Sequence, residues 1–166
     1  MSARHTISLL LENEAGALSR VSGLFSARAY NIESLAVAPT EDDTVSRLTL
    51  VTSGSPEIIE QITKQLNKLV DVIRLVDLND GPHVERELML IKIKAIGAEQ
   101  RAEADRVVGI FGATVVDVTD STYTAQVTGS RARNDDFIQA IGTKNVIEVA
   151  RSGVVGLQKG GKALKA

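Results

Sequence analysis

A hydrophobic pattern that runs through residues 1–78 and then begins again constrains this chain more than any other feature. In the first run, "HTISLLLE" (5–12) alternates and then turns apolar, as a half-buried strand does. Residues 16–28 place Leu18, Val21, Leu24 and Phe25 at helical spacing, which predicts an amphipathic helix with one buried stripe. "NIESLAVAP" (31–39) alternates again and stops at Pro39, "TEDD" (40–43) is a turn, and "TVSRLTLVT" (44–52) has the β-branched content of a strand. In "SGSPEIIEQITKQLNKL", Ser55 suits an N-cap, Pro56 the first helical position and Glu57 the positive end of the helix dipole. Ile58, Ile59, Ile62, Leu66 and Leu69 form its apolar face, and "DVIRLVDL" (71–78) closes the run as a strand.

"NDGPHVE" (79–85) gathers Asn, Asp, Gly and Pro and marks a linker. Beyond it the order repeats. "RELMLIKIKAIG" (86–97) predicts a long strand, "AEQRAEADRVVGIFG" (98–112) a helix stopped by Gly112, and "TVVDVT" and "YTAQVTG" two strands joined by "DST". "RNDDFIQAIG" predicts a helix with Asp135 and Asp136 in its first turn, and "VIEVARSG" (146–153) a final strand. The expected fold is α+β: two ferredoxin-like βαββαβ domains in tandem, residues 1–78 and 86–158, with a flexible basic tail over 159–166. A half of about 75 residues buries only a marginal core and leaves one sheet face and its edges to cover, so the halves, two copies of the chain, or both are expected to associate.

Composition removes several functions. Aromatics are 3% and the formal net charge is -2, so neither base-stacking platforms nor an electrostatic footprint for nucleic acid is present. With no cysteine, disulfide and thiol chemistry are excluded. The apolar run near the N-terminus is too short for a signal peptide and ends in acids, and nothing approaches the roughly 20 apolar residues that cross a bilayer. A cytoplasmic location without membrane contact is the expectation.

No catalytic or metal constellation emerges. His5 and His83 stand apart, each expected to be solvated, with no second ligand type beside them. Asp42–Asp43 suits a turn, and Asp135–Asp136 a helix start. Ser19, Ser22 and Ser26 lack a histidine partner, and "KGGK" (159–162) is too short for a phosphate loop. A stable fold without chemistry points to binding.

The binding candidate is the turn "NEAG" between the first strand and helix. Backbone N–H groups at residues 15–18 are expected to be free at the helix N-terminus, where with the dipole they suit a carboxylate or phosphate. Gly16 allows close approach to the backbone. Asn13 offers a carbonyl to an ammonium group, and Asn31, opening the next strand, could act likewise from a facing subunit. Together these suit a zwitterion, with Leu18, Ile32 and Leu35 as candidate apolar lining. The same residue types are also ordinary turn formers, and on residue chemistry alone both readings stand.

"N-x-x-G-x-L-x-R-V-x-x-x-F" followed by "N-I" resembles the fingerprint of ACT domains, amino-acid-sensing βαββαβ modules. More closely, "LLLENEAGALSRVSGLFSARAYNIESLAVAPTED", "QITKQLNKLVDV", "VERELMLIKI" and "EVARSGVVGL" resemble, in order over about residues 4–158, the small regulatory subunit of acetolactate synthase (acetohydroxyacid synthase). That resemblance implies an N-terminal ACT domain and a C-terminal ACT-like domain, with no active site in this chain. It implies a catalytic large subunit as partner, carrying thiamine diphosphate, Mg and FAD, which this chain activates and places under feedback inhibition by valine or a related branched-chain amino acid. It further implies a homodimer through the ACT domains. The effector then touches Asn13, Ala15, Gly16, Ala17 and Leu18 of one chain and Asn31 and Ile32 of the other. The loop "APTEDDTVSR" (38–47) is a candidate large-subunit contact, though it also reads as a plain hairpin. Two departures from the family pattern stand out: Ala29 where a glycine is usual, and "IFGATVVDV", where Arg and Asn are common. Rival readings are a stand-alone tandem-ACT sensor controlling transcription or another enzyme, a ferredoxin-like RNA-binding domain, which the composition disfavours, and an independent enzyme.

Overall fold

The computed structural model describes residues 2–166. The elements are β1 (Ala3–Glu12), α1 (Ala17–Ala27), β2 (Ser34–Pro39), β3 (Val45–Gly54), α2 (Pro56–Asn67), β4 (Val72–Asp77), β5 (His83–Lys94), α3 (Gly97–Phe111), β6 (Thr114–Val118), β7 (Thr122–Gly129), α4 (Arg131–Ile141) and β8 (Val146–Gln158). Single 3-10 turns at Leu78–Asp80 and Thr143–Asn145 precede β5 and β8. The order βαββαβ therefore occurs twice, as its hydrophobic pattern predicts. Each set forms a four-stranded sheet, β2-β3-β1-β4 and β6-β7-β5-β8.

In the first sheet β1 lies antiparallel to both β3 and β4, and β2 pairs with β3 from Ser34↔Val51 to Pro39↔Ser46. That leaves β2 at one edge. Alternation sends Ile7, Leu9 and Leu11 of β1 and Leu48 and Leu50 of β3 into one core against Val21 and Phe25 of α1 and Ile59, Ile62 and Leu66 of α2. In the second sheet Met89, Ile91, Ile93, Ala125 and Val127 meet Val107, Phe137 and Ile141. Each fully buried aliphatic or aromatic side chain contributes roughly 1.5–3 kcal/mol, so these two aliphatic clusters dominate what holds the sheets and helices together.

By contact the chain divides into two compact units, one running to Val84 and including Val154–Ala166, the other Glu85–Gly153. The sequence reading stopped the last strand at 153; it continues to Gln158, and its end groups with the first unit. Within that unit Arg47 Nη2 donates to Gly156 O at 3.0 Å, and Lys159 N to Pro82 O at 3.0 Å. The next strand also starts earlier than expected, at His83 inside the segment read as linker.

The duplication extends to helix ends. Ser55 and Ser130 each cap the second helix of their set, accepting from Ile58 N at 3.3 Å and Arg133 N at 3.2 Å. Because Ser130 starts α4 at Arg131, Asp135 and Asp136 fall beyond its first turn, contrary to the expectation that they occupy it. Asp135 instead pairs with Arg151 Nη1 at 2.7 Å, and Arg151 also engages the buried Glu87.

The first helix of each set ends in the same left-handed motif. Ala113 N donates to Val108 O at 2.9 Å around Gly112, φ 63°; Tyr30 N donates to Phe25 O at 2.9 Å around Ala29, φ 56°. Phe25 and Tyr30 stack edge-on at 5.8 Å, completing the apolar contact of this cap. Ala29 is the one non-glycine at positive φ among the described residues. Its methyl group opposes the conformation, so Ala29→Gly is expected to stabilise the chain by about 1 kcal/mol. A urea midpoint that rises at unchanged slope would show it; a fall would mean that Ala29 is not strained.

Candidate functional site

β1 delivers the chain to Asn13, which is held from the β2–β3 hairpin: its N–H donates to Thr44 O at 2.8 Å and its Nδ2 to Asp43 O at 2.7 Å. With Nδ2 engaged, the side-chain oxygen is the group left to accept. Glu14 N turns back to Glu12 O at 2.8 Å, and Gly16 adopts φ 89°, a left-handed position suited to glycine. α1 then begins with no side-chain cap at Gly16 and no acid in its first turn. Of the amides at 15–18 expected to be free, Ala17 N donates within the turn to Glu14 O at 3.3 Å; the helix start otherwise has no side-chain acceptor of its own.

The equivalent end in the second unit also lacks a side-chain cap on its first-turn amides. Gly97 repeats the left-handed glycine with φ 76°, Gln100 Oε1 accepts from Ile96 N, ahead of the helix, at 2.9 Å, and Glu99 lies in the first turn. The two copies differ in charge: α3 carries an acid at its positive end and α1 none.

A cleft of about 250 Å³ lies at the open turn, lined by Leu11, Glu12, Asn13, Glu14, Ala17 and Leu18 on one side and by Val37, Ala38, Pro39 and Ser46 on the other. It is smaller than the roughly 300–1,000 Å³ of pockets that take drug-sized molecules. Of the residues singled out from the sequence, Asn13, Ala17 and Leu18 line it, and Ala15 and Gly16 form the exposed turn between them. Leu18 was expected in the buried stripe of α1; at 40% exposure it leaves the core to Ala17, Val21 and Phe25 and supplies apolar surface to the cleft. Ile32 and Leu35, candidate lining residues, pack against the first core instead. Asn31 lies before β2, with an exposed side chain and its carbonyl accepting from Thr52 Oγ1 at 2.7 Å. Asn31 and Ile32 therefore stand at the opposite end of β2 from the cleft of their own chain.

Sequence reasoning includes Arg20 only as the arginine of the ACT fingerprint, with no role, and does not single out Asp71. Arg20 Nε and Nη2 grip the two carboxylate oxygens of Asp71, whose side chain is 3% exposed. These hydrogen bonds hold the Asp71 carboxyl below the usual range and raise the Arg20 guanidinium. Carboxylate oxygens of Glu12, Glu14 and Asp71 lie within 4.8 Å of one another, and Arg20 offsets part of their charge. The signal was present as an arginine one turn after the glycine in "GALSR" and a lone acid inside "KLVDVIRL".

The other acids and histidines have local duties. Asp42 Oδ1 accepts from Thr44 N at 2.9 Å and Thr44 Oγ1 at 2.7 Å, which lowers its carboxyl and pins the hairpin tip. His5, expected to be solvated, is partly buried with Nδ1 at 2.7 Å from Asp77 Oδ2. No helix among the described residues is long and apolar enough to cross a membrane.

Comparison with known proteins agrees with this architecture. The family model for an AHAS small subunit-like ACT domain matches residues 7–74, and that for the small subunit of acetolactate synthase matches 86–160. The class is thus a regulatory subunit with an ACT domain in its N-terminal half. The chain is 54% identical over 98% of its length to the acetolactate synthase isozyme 3 small subunit of Escherichia coli, covering 99% of that protein. It is 49% identical over 96% of its length to the acetolactate synthase small subunit of Haemophilus influenzae, covering 98% of it. The crystal structure of the small subunit from Thermotoga maritima superposes with a TM-score of 0.85 at 34% identity, over 96% of this chain and 99% of that one. This chain belongs to the acetolactate synthase small-subunit family.

Proposed function

We propose that the chain activates the catalytic large subunit of acetolactate synthase and makes it sensitive to L-valine or a related branched-chain amino acid, which it binds at the open turn between two copies of itself. The observation that carries the reading is the uncapped start of α1 over a small cleft whose second wall is the edge strand β2. The uncapped helix start and its dipole suit the ligand's carboxylate, the Asn13 side-chain oxygen and the nearby acids suit its ammonium group, and Leu18 and Val37 suit an aliphatic side chain.

The edge position of β2 explains why two copies are needed. A bare edge is a template for pairing, and the commonest solution is an isologous twofold contact. Antiparallel pairing of β2 with its copy sets the start of one strand beside the end of the other. Asn31 and Ile32 of the partner subunit then approach Val37–Pro39, the wall of the cleft. Asn31 points to a role across the dimer for that reason, since it does not reach the cleft in its own chain.

The chemistry belongs to the large subunit, where thiamine diphosphate, a divalent metal and FAD are expected; this chain supplies the ligand response. Such a ligand acts only through its different affinities for the two states of the complex. The test is acetolactate formation from pyruvate by the cognate large subunit, with and without this chain, across a valine titration. Stimulation that valine then reverses is the expected result. A large subunit indifferent to this chain sinks the proposal and favours a stand-alone sensor. Calorimetry with valine, leucine and isoleucine ranks the ligands.

A further inference from the structure

Asp71 holds both ends of the open turn. Its backbone oxygen accepts from Glu12 N, at the end of β1, at 3.0 Å. Its carboxylate takes the side-on fork of Arg20, in the first turn of α1, with Nη2 to Oδ1 at 3.0 Å. The four residues between, Asn13 to Gly16, are spanned by this clamp. Neither Arg20 nor Asp71 lines the cleft, whereas Glu12, Asn13, Glu14, Ala17 and Leu18 all do. The guanidinium also fills the space that a side chain at residue 16 would take: a Cβ on Gly16 would lie 2.9 Å from Arg20 Nη1. Glycine is therefore favoured by its backbone conformation, and a side chain there would also make the end of Arg20 shift.

We infer that Arg20 is a positioning residue, which through Asp71 holds the 13–16 turn in the shape that leaves the start of α1 open to a ligand. This rests on reading the cleft as the amino-acid site. The contact is geometric as well as electrostatic. A planar fork matches both carboxylate oxygens, which a lysine ammonium does not. The charged groups around it are Glu12 on β1, Glu14 in the turn and Asp71 before β4. A turn released from the clamp retains the lining side chains and loses their arrangement.

The test uses the full chain in two measurements. Amide hydrogen exchange without ligand follows the hydrogen-bonded amides of the turn, Asn13, Glu14 and Ala17, and, as a reference, Ile7–Leu9 in the centre of β1. Calorimetry follows L-valine binding. Arg20→Gln is expected to speed exchange at those three amides by about tenfold or more while leaving 7–9 protected. Its valine Kd should rise by roughly 10- to 100-fold, the range typical when a group that orients a ligand-binding residue is lost. Arg20→Lys should fall between, and Arg20→Gln with Asp71→Asn should be no weaker than the worse single variant, because both remove one interaction. Should Arg20→Gln fail to fold, the near-isosteric Asp71→Asn carries the same two measurements. Unchanged exchange and affinity overturn the inference, as does faster exchange spread equally over β1. A wild-type chain that takes up no branched-chain amino acid defeats the functional reading, and exchange in the turn then decides the role of Arg20 by itself.

Discussion

A Gly16→Asp variant is expected to stimulate the large subunit yet show no response to valine. Three effects converge on one position. The new carboxylate occupies the uncapped start of α1, which the ligand's carboxylate needs. It adds a fourth negative charge beside Glu12, Glu14 and Asp71. Its Cβ, 2.9 Å from Arg20 Nη1, makes the end of the guanidinium shift, and its carboxylate competes with Asp71 for that cation. Stability should fall modestly. A side chain at φ 89° costs about 1–2 kcal/mol, and the left-handed backbone there lacks the extended conformation from which aspartate caps a helix. Valine titrations of acetolactate formation with wild-type and variant chains make the comparison. Retained valine sensitivity would remove Gly16 from the ligand site.

The second large effect is a restoration. Asn13→Ala and Asn31→Ala should each abolish valine binding alone. When the two variant chains are unfolded, mixed in equal amounts and refolded together, binding should return at about a quarter of all sites. The figure follows from twofold symmetry: half of the dimers are mixed, and each of these has one site made from both intact asparagines and one from neither. Calorimetric stoichiometry reads the fraction directly. A mixture that stays silent would mean that both asparagines serve the same site from one chain, or that they serve none. The prediction depends on β2 being the edge at which copies pair, so a charge such as Val37→Lys, in the exposed strand, offers an independent route to breaking the dimer.

Much of the fold was legible because it rests on local rules. Alternation in 5–12 and 44–52, the Ser55–Pro56 cap and the glycine at 112 act within a few residues, and each appears as its pattern predicts. Ala29 stood out only through the resemblance, as an alanine where a glycine is usual, and its left-handed backbone came with the structure. Errors arose where two local rules competed or where distant segments meet. Ser130 caps α4 ahead of a stretch of arginines, so the acids at 135 and 136 looked like the start. Leu18 fits the apolar spacing of α1, but only the position of β2 across the cleft shows that it faces out of the core. Arg20 with Asp71 and His5 with Asp77 pair across 51 and 72 residues of sequence, beyond the reach of any periodicity. Residue chemistry drew attention to the Asn13 turn and left two readings of it, between which the family resemblance chose; the Gln100–Ile96 hydrogen bond in the matching turn became visible only in three dimensions.

The carboxamide of Asn13 faces two ways. It borders the cleft and donates to Asp43 O of the hairpin, while the backbone N–H of the same residue donates to Thr44 O. Thr40 and Asp42 pin that hairpin at its tip. One residue thus joins the cleft to the hairpin. If a ligand in the cleft and a protein seated on residues 40–44 favour different positions of Asn13, linkage makes each alter the other's affinity by the same factor.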